Sequence, residues 1–143
     1  MSHPLMFDDA DPVLVRLREA VARLPEATEK ISHGRPTWKA GPTGKLFAVL
    51  GGGIKGGLPD GGMRRLDHGL LFLPDPVDEP ALRADPRCFL PAYYGPAGWC
   101  GIDLDSPETG PAGPDWEEVA ELLVLSYRRV ATRRLLALLD AGA

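Results

Sequence analysis

Apolar and polar positions along this chain change their period several times, and each change predicts an element. From Asp11 the apolar residues Leu14, Leu17, Val21 and Leu24 recur at helical spacing, which places them on one face. Asp11 is a good N-cap, and Pro12 at the first helical position gives up an N–H that would lack a partner anyway; Pro25 ends the run. Between residues 26 and 73 the period shortens towards that of a strand. ATEKIS, PTWKA, KLFAVL and RLDHGLLFL read as four strands, with turns at His33-Gly34-Arg35-Pro36 and from Ala40 to Gly44. No long crossover separates them, so a meander of antiparallel hairpins is the natural topology.

The stretch from Asp75 to Pro96 carries five prolines and leaves room for a short helix around Glu79 to Ala84. WCGIDLD then reads as a fifth strand, with Cys100, Ile102 and Leu104 on one face and Trp99, Asp103 and Asp105 on the other. A long helix opens at Asp115, where Glu118 three residues on suggests a capping box, and its stripe runs through Val119, Leu123, Tyr127 and Leu135 towards Asp140. Glutamates near its start and Arg128, Arg129, Arg133 and Arg134 towards its end suit the helix dipole. The pattern predicts an α+β domain over residues 1–143 with its core at 11–140. An N-terminal helix and a long C-terminal helix pack on an antiparallel sheet of about five strands, and a flexible glycine-rich loop spans 51–62.

Composition adds bounds. A chain of 143 residues with 44% hydrophobic and 25% charged residues suits one globular domain. No apolar run reaches the ~18 residues of a membrane span, and MSHPLMFDDADP lacks a basic region before an apolar stretch, so the expectation is a cytoplasmic protein with no membrane partner. Cys88 and Cys100 make no disulfide framework and no zinc spacing, and no cofactor or metal is expected.

Charge is uneven. Residues 30–68 carry seven basic and two acidic groups, whereas residues 69–127 carry two basic and eleven acidic ones, in a chain of net charge −4. The basic set Lys30, Arg35, Lys39, Lys45, Lys55, Arg64 and Arg65 interleaves with Trp38 and Phe47. Such residues on a sheet or its hairpin tips track phosphates while an aromatic stacks on a base; alternatively the surface is merely solvated and both aromatics belong to the core.

Other motifs carry less. Gly51 to Gly56 satisfies GxGxxG, but GLPDGG follows where a dinucleotide fingerprint needs a helix, so a hairpin loop is expected. Asp103 and Asp105 alternate on a strand face, which suits either a cation or solvent. His33 and His68 have no carboxylate at a telling spacing, and Ser126 lies in a helix without a nucleophile elbow. Tyr93, Tyr94 and Trp99 suit either a ligand cleft or packing between strand and helix.

Several residues together carry a family resemblance. A helix ending in LPEA, the strand residues Lys45, Phe47 and Ala48, Gly98-Trp99 opening a strand, Asp115-Trp116 at a helix start and Ser126-Tyr127 within it resemble the MmcQ/YjbR-like family over about residues 11–140. The resemblance implies a small bacterial α+β domain with two wing-like hairpins, often labelled DNA-binding by fold similarity. It carries over no catalytic residues. Two departures stand out: the long 51–62 loop, and Arg133-Arg134 where relatives tend to keep a lysine.

The leading expectation is therefore a non-enzymatic module that binds DNA or RNA, with Lys39, Lys45, Arg64 and Arg65 on phosphates and Trp38 stacking. The rival is a small-molecule or protein-binding domain with a pocket between Tyr93, Tyr94, Trp99 and the last helix. An enzyme using His68 or the Asp103/Asp105 pair ranks third, since it needs those groups to converge in one cleft. The sequence leaves the oligomeric state open.

Overall fold

The computed structural model describes residues 4–142. Helix α1 (Pro12–Val21) begins as its sequence dictates: the Asp11 carboxylate accepts the Val13 amide at 2.9 Å, and Leu14, Leu17 and Val21 are buried. Strands β1 (Ala27–Ser32), β2 (Arg35–Ala40), β3 (Leu46–Ile54) and β4 (Arg64–Phe72) follow as antiparallel neighbours. His33 and Gly34 close the first hairpin at φ of 52° and 80°, the left-handed pair that a two-residue turn between twisted strands requires.

After α2 (Glu79–Ala84) come β5 (Cys88–Phe89), β6 (Cys100–Asp103), α3 (Trp116–Val130) and α4 (Arg133–Gly142). The fold is α+β, and the sheet is antiparallel and six-stranded in the order β1-β2-β3-β4-β6-β5. The additional strand, β5, spans two residues in the proline-rich stretch, too short to leave an alternating pattern.

Helices α1 and α3 cover one face of the sheet. Trp38, Leu50, Leu70, Phe72, Cys100 and Ile102 point into a core completed by Leu14, Leu17, Leu123 and Tyr127. The Ser126 hydroxyl is wholly buried; it donates to the Phe47 carbonyl at 2.6 Å and accepts the Leu73 amide at 2.9 Å, tying α3 to the sheet. Tyr127 packs edge-on against Phe47 and donates its hydroxyl proton to the Pro25 carbonyl at 2.7 Å.

Three expectations need correction. The last helix is not continuous to Asp140: α3 ends at Val130, Ala131 adopts extended ψ of 145°, and the Thr132 hydroxyl accepts the Leu135 amide to start α4. The bend lets Leu135 return to the core and brings Arg128 to Asp140 at 2.7 Å. The capping box does not close either. Asp115 caps Glu117 and Glu118, but the Glu118 carboxylate turns to Arg87 at 2.6 Å. Finally, Gly51 to Gly53 are strand rather than loop, because β3 runs on to Ile54 opposite Arg64.

Candidate functional site

Among the described residues no α-helix packs on the second face of the sheet. Its apolar residues Val49, Leu71 and Trp99 form a smaller cluster with Leu46, Leu73, Phe89 and Tyr94. Part of this face is roofed by the chain itself. Phe89 lies over Gly101 and Gly69, where a Cβ would come within 2.4 and 2.9 Å of its ring. From there residues 90–98 cross the open face as a strap. The Ala92 amide donates to the Gly53 carbonyl at 2.8 Å, and Tyr94 packs edge-to-face on Trp99 with centroids 5.3 Å apart. Burial raises the Tyr94 pKa.

At the crest of the strap Tyr93 sits at φ 69°, held by a bond from the Tyr94 amide to the Ala92 carbonyl. This is a γ-turn of the rare positive-φ kind, a strained conformation for a bulky residue. Tyr93 is nonetheless 81% exposed, so no core contact compels it.

Beside the strap lies a cleft of about 600 Å³. Its floor is Val49, Leu71 and the glycine run 51–53; Tyr93 and Tyr94 wall one side, with Met6, Met63, Arg35 and Arg65 around the rest. The sequence folds this way because β3 carries a bulge between Leu50 and Gly52, with Gly51 at φ 101°. The Arg35 guanidinium lies across Gly51, 2.0 Å from where a Cβ would stand, so a side chain there would displace it as well as strain a backbone at φ 101°. The Met6 amide donates to the Gly34 carbonyl at 2.8 Å, which fixes the N-terminal segment as a further wall.

The sequence-predicted residues separate rather than converge. Trp38 is 2% exposed in the helix-side core, its indole N–H donating to Glu29 at 3.1 Å, so it offers no stacking surface. Lys39 donates to the Pro42 carbonyl at 2.7 Å and Lys45 is exposed beside it, at the start of β3. Arg64 and Arg65 pair with the other end of that strand, at Ile54 and Gly53. Lys39 pairs with Leu46, seven residues from Gly53, so the two basic ends lie roughly 23 Å apart along the strand. Arg64 and Arg65 are adjacent on β4, which sends their side chains to opposite faces.

Of the aromatic set, Tyr93 and Tyr94 line the cleft and Trp99 packs beneath Tyr94. The pocket does not abut the last helix, which lies across the sheet from it.

His68 gains partners that spacing gave no sign of. Its Nδ1 lies 2.8 Å from Asp105 and its Nε2 2.6 Å from Asp11, the N-cap of α1. Burial opposes the imidazolium, but these two hydrogen bonds outweigh it and raise the His68 pKa. The triad staples α1 to the sheet on the helix side, away from the cleft. Asp103 does not join Asp105 in a carboxylate pair; its side chain accepts the Asp105 amide at 3.0 Å. Among the described residues no group of three or more His, Cys, Asp or Glu is placed to hold a metal. No helix among them is long and apolar enough to cross a membrane. Ser126 is not a nucleophile candidate, since both roles of its hydroxyl are taken in the core.

Fold and site together define a small α+β domain with one sheet face covered by helices and the other holding a strapped cleft. A family model described as YjbR matches residues 22–129, three quarters of the chain, and the chain belongs to that family. No curated protein and no solved structure matches it significantly.

Proposed function

We propose that this protein is a binding module for a small molecule, held on the open sheet face between the strap and the glycine run of β3. The observation that carries this reading is the cleft itself. Its volume of about 600 Å³ lies within the range of small-ligand sites, and an apolar floor with a few polar groups at the rim is their usual make-up. The strained γ-turn at Tyr93 supports it, because backbone strain persists where a site requires a particular side-chain position.

Nucleic acid is the weaker reading. The residues expected on phosphates divide between the two ends of β3, and the aromatic expected to stack is buried. A thermal-shift screen of small apolar and aromatic compounds tests the proposal. A ligand at a hundred times its dissociation constant raises stability by about 2.7 kcal/mol. A screen in which only oligonucleotides stabilise the protein, with salt-sensitive binding lost in Lys39→Glu and Lys45→Glu, refutes it.

A further inference from the structure

The cleft also carries a charge preference, and this inference rests on the small-molecule reading above. Arg35 on β2 and Arg65 on β4 both reach the cleft from the same rim. Each contacts one oxygen of Asp67 through Nη2, both at 3.2 Å. Among the described residues that single oxygen is the only hydrogen-bond acceptor on either guanidinium. Two guanidinium groups thus share one carboxylate oxygen at the edge of an apolar depression that His33 also lines. Arg35 is held in place: its side chain is only 13% exposed and lies across Gly51. A guanidinium so fixed presents its fork of N–H donors with little ordering left to do, and that fork matches a carboxylate.

The walls select shape. The room that Gly51, Gly52 and Gly53 leave over β3 is taken by the chain's own Arg35, Leu71 and Met63, which a Cβ at those positions would meet at 2.0, 2.9 and 2.6 Å, just as the Phe89 ring covers Gly69 and Gly101 on the same face. Met6 and Met63 add polarizable thioethers, which favour the edges of aromatic rings, and Tyr94 adds an aromatic wall.

We infer that the ligand is an aromatic monocarboxylate whose ring lies in the cleft against Tyr94, Met6 and Met63 and whose carboxylate binds the Arg35–Arg65 pair. A carboxylate offers two oxygens to such a fork, and its single charge costs less to bring into an apolar cleft than the double charge of a phosphate.

Naphthoate, naphthamide and naphthyl phosphate serve as probes in calorimetric titrations of the full chain at about 50 mM salt, where rim charges are weakly screened. Naphthoate is expected to bind at least about tenfold more tightly than the isosteric amide, a difference of about 1.4 kcal/mol. Arg65 is exposed, so Arg65→Gln is expected to fold and to reduce that preference to about threefold or less, by weakening the acid more than the amide. Equal binding of acid and amide, or a preference untouched by Arg65→Gln, overturns the charge assignment while leaving the cleft as a binding site. A phosphate bound more tightly than the acid overturns the monoanion. Absence of binding by all three at about 1 mM removes the cleft reading as well.

Discussion

The Ala92 amide donates to the Gly53 carbonyl at 2.8 Å, joining the proline-rich strap to the glycine run of β3. This bond sets the strap's height over the open face. It holds Tyr93 and Tyr94 along one side of the cleft while the glycines floor it. A loop and a strand that look unrelated in the sequence become the wall and base of one site.

Tyr93→Gly separates strain from binding. Relief of the left-handed conformation contributes about 1–2 kcal/mol, and the added freedom of the unfolded glycine offsets about 0.5–1 of it. The melting temperature is therefore expected to hold or rise slightly, while affinity for an aromatic cleft ligand falls. A variant that loses stability yet keeps full affinity contradicts the role given to this turn.

Ser126→Ala is expected to cost about 2–3 kcal/mol, because a buried carbonyl and an amide each lose a partner. Tyr127→Phe, which removes one hydrogen bond to Pro25, is expected to cost about 1 kcal/mol. Urea denaturation measures both as shifts in midpoint at constant slope. A neutral Ser126→Ala is inconsistent with the bonding described.

The His68 staple gives a pH dependence of definite sign. Its folded pKa lies above the unfolded value of about 6.5, so its contribution is complete below that pH and is lost as pH rises through the folded pKa. His68→Gln is therefore expected to be less stable than the parent at pH ~6, with the gap narrowing as the solution becomes alkaline. A gap that widens with pH contradicts an imidazolium between Asp11 and Asp105.

These fasteners explain what the sequence disclosed and what it withheld. Local signals survived folding: the Asp11-Pro12 start of α1, the ATEKIS strand and the Glu79–Ala84 helix form where their residues indicate. The residues that carry the family resemblance are likewise structural. Ser126 bonds Phe47, Tyr127 bonds Pro25 and Asp115 caps α3, so they mark the fold and leave the activity unstated.

Of the candidate site only Tyr93 and Tyr94 were legible, because the rest is assembled over long sequence distances. Gly51–Gly53 resembled a loop, since strand pairing with β4 decides their conformation. Arg35 and Arg65 stood among seven basic residues, and only the fold brings Arg35 to the Asp67 that Arg65 meets two residues along β4. His68 meets carboxylates 37 and 57 residues away, at separations no motif encodes.

The division of basic residues bears on nucleic acid. Single- and double-stranded oligonucleotides are expected to show only weak association that vanishes near physiological salt, in keeping with net charge −4. Fluorescence anisotropy checks this. Tight binding that resists salt, and is lost on reversing Lys45, contradicts the expectation.

An amide-resolved NMR titration with naphthoate tests the central claim most directly. The account predicts saturable shifts concentrated at Gly51 to Gly53, Met63, Arg65 and the strap residues Ala92 to Tyr94. Shifts centred instead on α3 or on the Lys39–Lys45 end of the sheet, or no shifts at all, contradict it.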